Sequence, residues 1–315
     1  MSEFSPTDAA LEGLRITRER PKAVLWWWAA GAAYMLVQGL LSFLPAFHRL
    51  DVVLPDILAA YQTALASPTD PAAAQRFYRL LGPVAPAFAT LSALNLLVQM
   101  VLSTAVLRAV LRPADRAFGY LRLSLDEIRQ LGLALLIFAA FLAYAFLVTI
   151  ASSLVFGGLA LLIPGAGAVL ALLAIVAVVT AFLYPTVRLS LSPALTFADG
   201  RISFLRTWSL TEGRFWPLLG AYVVSLAIAA VLFVAISLPV FLALKLVGWL
   251  ADLSSQAGGV ALVKPGYLVG LIVNSLLGAL IGAIVTAPIA SAYRQITGRV
   301  GAAPAAPVAA GSPWG

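Results

Sequence analysis

Phe204-Leu-Arg-Thr-Trp-Ser-Leu-Thr-Glu-Gly-Arg-Phe-Trp216 is a basic, aromatic stretch set between two long apolar runs. Tyr120-Leu-Arg-Leu-Ser-Leu-Asp-Glu-Ile-Arg129 stands in the same way between two earlier runs. Both read Leu-Arg, then Ser-Leu-x-Glu-x-Arg, with Trp208 as the extra residue of the later copy. Ser followed three residues on by Glu is the pattern of a capping box, in which each side chain accepts the other residue's orphan backbone N–H. The pattern predicts helix starts at Ser124 with Glu127 and at Ser209 with Glu212. A helix end near a bilayer needs such internal partners, because hydrocarbon offers none. Gly13-Leu-Arg15, ahead of the first apolar run, reads as a degenerate third copy. The expected architecture is three related units, each a surface helix followed by a hairpin of two spans.

Outward from the motif, composition sets the class. The chain is 62% hydrophobic and 10% charged with a mean hydropathy of +0.99, more apolar surface than a soluble core can hide. Runs of about 20 apolar residues are long enough to cross the hydrocarbon of a bilayer. Six spans are expected at about 23–47, 86–111, 131–156, 168–189, 217–247 and 267–293. The predicted fold is therefore all-α: a polytopic integral membrane protein, six transmembrane helices in three hairpins, with cytoplasmic amphipathic surface helices. Segment 1–22 is one of these, with Ser5 as N-cap, Pro6 at the first helical position, and Ala10, Leu11 and Leu14 on one face. The Trp26-Trp27-Trp28 run reads as an interfacial belt.

Between the spans, the outer loop 48–84 carries two weak helical patterns, Ile57/Tyr61/Ala64 and Ala73/Phe77/Leu80/Leu81. Ala114, Ala117, Phe118 and Leu121 predict an inner surface helix, as do Leu195, Ala198, Ile202 and Leu205, interrupted at Gly200. The Ala/Pro/Gly-rich 298–315 reads as a disordered tail. Lys and Arg are about three times more frequent in the segments that share a side with the N-terminus. The positive-inside rule thus predicts an inner-membrane protein with both termini cytoplasmic.

Leu191-Ser-Pro193, Gly200 and the stretch Phe204 to Trp216 together resemble the hallmark loop of the membrane domain associated with glycerophosphoryl diester phosphodiesterases. The resemblance implies a six-helix bacterial inner-membrane module linked to lipid or envelope processes. That family often has an acidic residue where Ala198-Asp199 stand, and Asp199 is the nearest match. The phosphodiesterase barrel, with its paired histidines and metal-binding acidic residues, is not part of this sequence, so phosphodiester hydrolysis is not implied.

The chemistry-bearing residues point the same way. There is no cysteine, and the single histidine, His48, falls at the end of the first span. Every Asp and Glu maps outside the expected spans, which argues against a carboxylate proton or sodium relay. No catalytic constellation, metal site or cofactor is expected, and nucleic acid is excluded as a partner because the positive charge is spread over inner loops. The expected partners are the bilayer, its anionic lipids, and a second membrane protein. Arg122, Arg129, Arg206 and Arg214, with Trp208 and Trp216, are candidate headgroup anchors, although topology determinants carry the same pattern. Asn95, Gln99 and Asn274 could meet as interhelical glue or line a polar site, and Gly278 with Gly282 forms a GxxxG packing motif.

Three functions stay open: a non-enzymatic role in membrane, lipid or envelope homeostasis; a small-molecule or lipid transporter with a polar cavity between spans two and six; and, least supported, a membrane-embedded enzyme. The orientation is directly testable. A compartment reporter fused after Thr297 is expected to read cytoplasmic, and a periplasmic signal contradicts the six-span topology.

Overall fold

The computed structural model describes residues 4–67, 70–163, 165–255 and 265–298. Eleven α-helices follow in order: α1 Pro6–Glu19, α2 Pro21–Leu41, α3 Pro45–Ala66, α4 Pro71–Leu81, α5 Ala85–Leu111, α6 Leu125–Leu162, α7 Gly167–Leu189, α8 Ser192–Asp199, α9 Arg206–Leu210, α10 Phe215–Ser255 and α11 Pro265–Thr297. Among the described residues there is no strand. Six helical segments are long and apolar enough to cross a membrane. Large side chains such as Phe146, Leu154 and Leu161 stand exposed along them, a surface suited to hydrocarbon. The predicted tail falls on 299–315, outside the described residues, and so does 256–264 of the last predicted turn.

Several boundaries move. The first span ends at Leu41, short of 47, because Ser42 turns the chain by donating to the Gly39 carbonyl at 2.6 Å and Pro45 opens a new helix. At 38 residues, α6 rises about 57 Å, well beyond the roughly 30 Å of hydrocarbon, and it takes up most of the turn expected at 157–167. Pro185 inside α7 has no N–H to offer the Ala181 carbonyl, and Tyr144 of α6 donates its hydroxyl there at 3.0 Å. α6 and α7 pair along their length, with Tyr144 edge-on to Phe182.

The chain forms two compact units. The first comprises Met1–Val24, Val101–Ala235 and Leu280–Gly315; the second comprises Leu25–Met100 and Ile236–Ala279. In the second, α3 and α4 pair around Leu50, Ile57 and Val84, with Phe77 and Leu80 against them. The two helices expected in 48–84 are thus present, the first longer than its pattern and continuous through Pro55. Trp27 is 1% exposed and belongs to the core, whereas Trp26 faces outward, so the tryptophan run is only partly a belt. His48 is exposed.

In the first unit, α1 starts as its sequence predicts, with Ser5 Oγ accepting from the Asp8 N–H at 3.3 Å. Its buried face is Ala9, Ala10, Glu12, Gly13 and Ile16, and Leu11 points outward. The small residues permit a close approach to α11. A Cβ on Gly13 would lie 2.5 Å from Ile284 Cα and 2.9 Å from the Ala283 carbonyl oxygen. Gly13 is therefore a mid-helix packing residue, not the start of a third motif copy. Glu12, buried on the same face, pairs with Arg15 and with Arg294 of α11 at 3.4 Å, and Gln295 accepts the Ser5 N–H at 2.9 Å.

The two expected inner surface helices turn out differently. Residues 117–120 make only a 3-10 turn, and Phe118, Gly119 and Tyr120 carry left-handed φ values of 48°, 65° and 69°. α8 is a helix, but Ser192, Ala194, Leu195, Thr196 and Phe197 are buried, so it plugs the unit rather than lying on it. Gly200 ends α8 in the left-handed region at φ 64°, a turn that glycine adopts without a Cβ penalty.

Gly13→Ala separates this packing from helix propensity. An exposed helical Gly→Ala change gains about 0.8–1.0 kcal/mol, but at Gly13 overpacking should cost about 1–3 kcal/mol. Thermal unfolding in detergent is expected to fall for Gly13→Ala and to hold or rise for Gly278→Ala; equal midpoints contradict the docking of α1 on α11.

Candidate functional site

Two clusters of functional side chains occupy the arginine-rich end of the first unit. The first is built on Arg108, three residues before the end of α5 and 1% exposed. Its Nη1 donates to the Tyr120 carbonyl at 2.7 Å and its Nη2 to Glu127 Oε1 at 2.8 Å, while Asp126 and Asp115 lie at 3.7 and 3.8 Å. Glu127 Oε2 meanwhile accepts the Ser124 N–H at 2.7 Å and its hydroxyl at 2.6 Å, closing the predicted capping box at the start of α6. One carboxylate is thus both helix cap and counter-ion.

Arg112, the residue just past the end of α5, pairs with Asp126 at 3.0 Å, donates to the Phe197 carbonyl at 3.1 Å and stacks on the Phe197 ring at 4.3 Å. This is why α8 is drawn inward. Gln130 of α6 adds a bond to the Pro193 carbonyl at 2.7 Å. Pro113 cannot donate to the Ala109 carbonyl, and Arg20 does so instead at 2.6 Å while also donating to the Tyr120 hydroxyl at 2.8 Å. The left-handed Tyr120 is the residue both arginines grip. Phe118, Leu123, Leu125 and Ile128 are left exposed around it, an apolar rim beside a charged interior.

The second motif copy has a different local structure. Ser209 sits inside α9 and donates back to the Arg206 carbonyl at 2.9 Å; Glu212 is exposed, and α10 starts only at Phe215. No capping box forms there. Gly213 stands where the first copy has Ile128, and its left-handed φ of 70° turns the chain between α9, which ends at Leu210, and α10, so no helix continues from Ser209 through Glu212. Arg206 pairs with Asp199 at 3.0 Å, Arg129 with Asp126 at 3.1 Å, and Arg122 with Asp115 at 3.7 Å. Arg214 donates to the Leu210 carbonyl at 3.3 Å, and Trp216 stands largely exposed.

Trp208 belongs to the second cluster. Its ring packs edge-on to Tyr184 at 5.7 Å, and the guanidinium of Arg188 lies 5.0 Å from its centroid. On another face of α7 is a half-open cavity of about 350 Å³ walled by α7, α10 and α11. Its polar groups are satisfied within the wall. Ser190 Oγ and Tyr222 Oη share a hydrogen bond at 2.6 Å, Thr186 donates to the Phe182 carbonyl at 2.7 Å, and Ser225 to the Ala221 carbonyl at 2.8 Å. What remains to a guest is a hydrocarbon surface formed by Leu183, Val187, Leu226 and Ile289 among others. An apolar void of this size holds an apolar chain more readily than water.

No protein-family model, curated protein or solved structure matches this chain.

Asn95, Gln99 and Asn274, the predicted intramembrane polar group, are all exposed. At the GxxxG, a Cβ on Gly278 or Gly282 would meet nothing within 4 Å. Close backbone approach is instead made by Gly13 on α11, whereas in the second unit a Cβ on Gly31 would make only ordinary contact with Ser275 at 3.5 Å. Arg108 and Arg188 are the residues that reading by motif passes over. The available signal was an arginine within or at the edge of an apolar run, with Glu127 in reach for the first and no acidic residue nearby in sequence for the second.

Removing one member of the Arg108–Glu127 pair leaves a buried charge without compensation, which costs about 3–5 kcal/mol. Arg108→Met and Glu127→Leu should each lower the unfolding midpoint and folded yield sharply. The double variant should lose clearly less than the sum of the two; strict additivity contradicts the coupling.

Proposed function

We propose that this protein binds membrane lipid without transforming it chemically, and acts in lipid or envelope homeostasis at the bacterial inner membrane. The reading places the arginine-rich end at the cytoplasmic leaflet, following the distribution of Lys and Arg. The observation that carries it is the cavity among α7, α10 and α11. The hydroxyls of Thr186, Ser190, Tyr222 and Ser225 all bond to one another or to carbonyls of the helices that form the wall, so the guest surface is apolar.

The position of the cavity supports the same reading. It lies in the last two turns of α7 and the second and third turns of α10, close in sequence to Arg188 and Arg214. Arg294 follows one turn after Ile289 on α11. An acyl chain in the slot would put its headgroup among guanidiniums. The resemblance of the Leu191–Trp216 region to the phosphodiesterase-associated membrane domain agrees with a lipid-linked role.

Native mass spectrometry of the full chain released from mild detergent tests this. Wild-type protein is expected to retain phospholipid adducts, and Thr186→Trp or Val285→Trp, which fill the cavity from its exposed rim, should reduce them by about tenfold or more. Each buried methylene contributes about 0.8 kcal/mol, so expelling two of them already reaches that factor. Adducts that persist in folded variants contradict the proposal.

A further inference from the structure

Arg188 is 7% exposed, the penultimate residue of α7. Its guanidinium stands over the rings of Trp208 at 5.0 Å and Tyr184 at 5.8 Å, and its Nε is buried with no hydrogen-bond partner. Among the described residues, no carboxylate lies within ion-pair distance of it, and no side-chain N–H of it reaches an acceptor. Arg108, the other arginine this deeply placed, shows what a buried guanidinium normally requires: a carboxylate at 2.8 Å and a carbonyl at 2.7 Å. Aromatic faces attract a cation but accept none of its hydrogen bonds in the plane of the fork. Arg188 is therefore a charged group held between two rings, its Nε buried without a partner and its fork met by no acceptor among the described residues.

We infer that Arg188 is the anchor of an anion site for a phosphate-bearing ligand, with Tyr184 and Trp208 fixing the guanidinium. The inference rests on the lipid reading for the identity of the ligand's tail, but the anion site stands by itself. The planar fork matches two oxygens of a phosphate. Leu183, Thr186, Val187 and Ser190 line the cavity from one face of α7, and Arg188 leaves the same helix end about 150° round from the middle of that face. The end of α7 thus carries a hydrocarbon slot and a cation on different sides, and an anionic phospholipid that used both would lie across the helix end. A free phosphate would use the cation alone.

The test is thermal unfolding of the delipidated full chain in phosphate-free detergent, titrated separately with inorganic phosphate, a short-chain phosphatidylglycerol and a short-chain diacylglycerol. A ligand bound only by the folded state raises the midpoint. Phosphatidylglycerol should raise it for wild type, with apparent affinity weakened about tenfold or more in R188Q, since a charge-assisted hydrogen bond is lost, and to a lesser degree in R188K. Diacylglycerol should give a smaller shift that R188Q leaves unchanged. An Arg188-dependent shift with inorganic phosphate that phosphatidylglycerol does not exceed keeps the anion site and sinks the lipid reading. A phosphatidylglycerol shift lost in Thr186→Trp but intact in R188Q keeps the cavity and overturns the anion site. Because R188Q removes an unpaired buried charge, its unliganded midpoint should hold or rise; a lowered midpoint, or failure of both R188Q and R188K to fold, makes Arg188 a structural brace and overturns the proposal.

Discussion

A guanidinium withdrawn from water must be met by acceptors and by negative charge, and the arginine-rich end of the first unit is organised around meeting Arg108. Glu127 supplies the charge and at the same time caps α6, so the helix start and the ion pair form or fail as one. Tyr120 supplies a carbonyl, which it presents from a left-handed conformation that a tyrosine adopts only under constraint. Arg112 extends the network to Asp126 and, through Phe197, pulls α8 under the loop. Each element at this end is positioned by a bond that traces back to α5.

The same network explains which features were legible in the sequence. The spans were, because apolar runs of the right length have few other fates, and their helices agree with the pattern to within a turn at most ends. The box at Ser124 and Glu127 was legible because nothing between them or just after them breaks a helix. At Ser209 the same letters gave another structure, since Gly213 lets the chain turn where Ile128 had continued it. The surface helices failed for a related reason. Helical spacing in 114–121 and 195–205 reported apolar periodicity, but Arg108 and Arg112 decide from another helix what those segments do.

Polar residues in apolar runs suit interhelical contact, yet Asn95, Gln99 and Asn274 are all exposed. Spacing shows which residues share a face; it does not show which way the face turns. The GxxxG of α11 failed in the same way, whereas Gly13, in a segment read as a surface helix, makes the closest backbone approach. The candidate cluster was the least legible part, because it consists of groups from α7, α9 and α10 whose proximity no spacing encodes: Tyr184, Arg188, Trp208 and Phe215.

Two buried arginines, one fully compensated and one not, divide the unit into a part that holds the fold and a part that we propose binds a ligand. The lipid account depends on the second. An experimental density map of the full chain in a lipid bilayer tests it most directly. The account predicts elongated density in the cavity among α7, α10 and α11, with a phosphate-sized peak against Arg188 between Tyr184 and Trp208. A cavity closed by its own side chains, with Arg188 paired to a carboxylate of the chain, would contradict it.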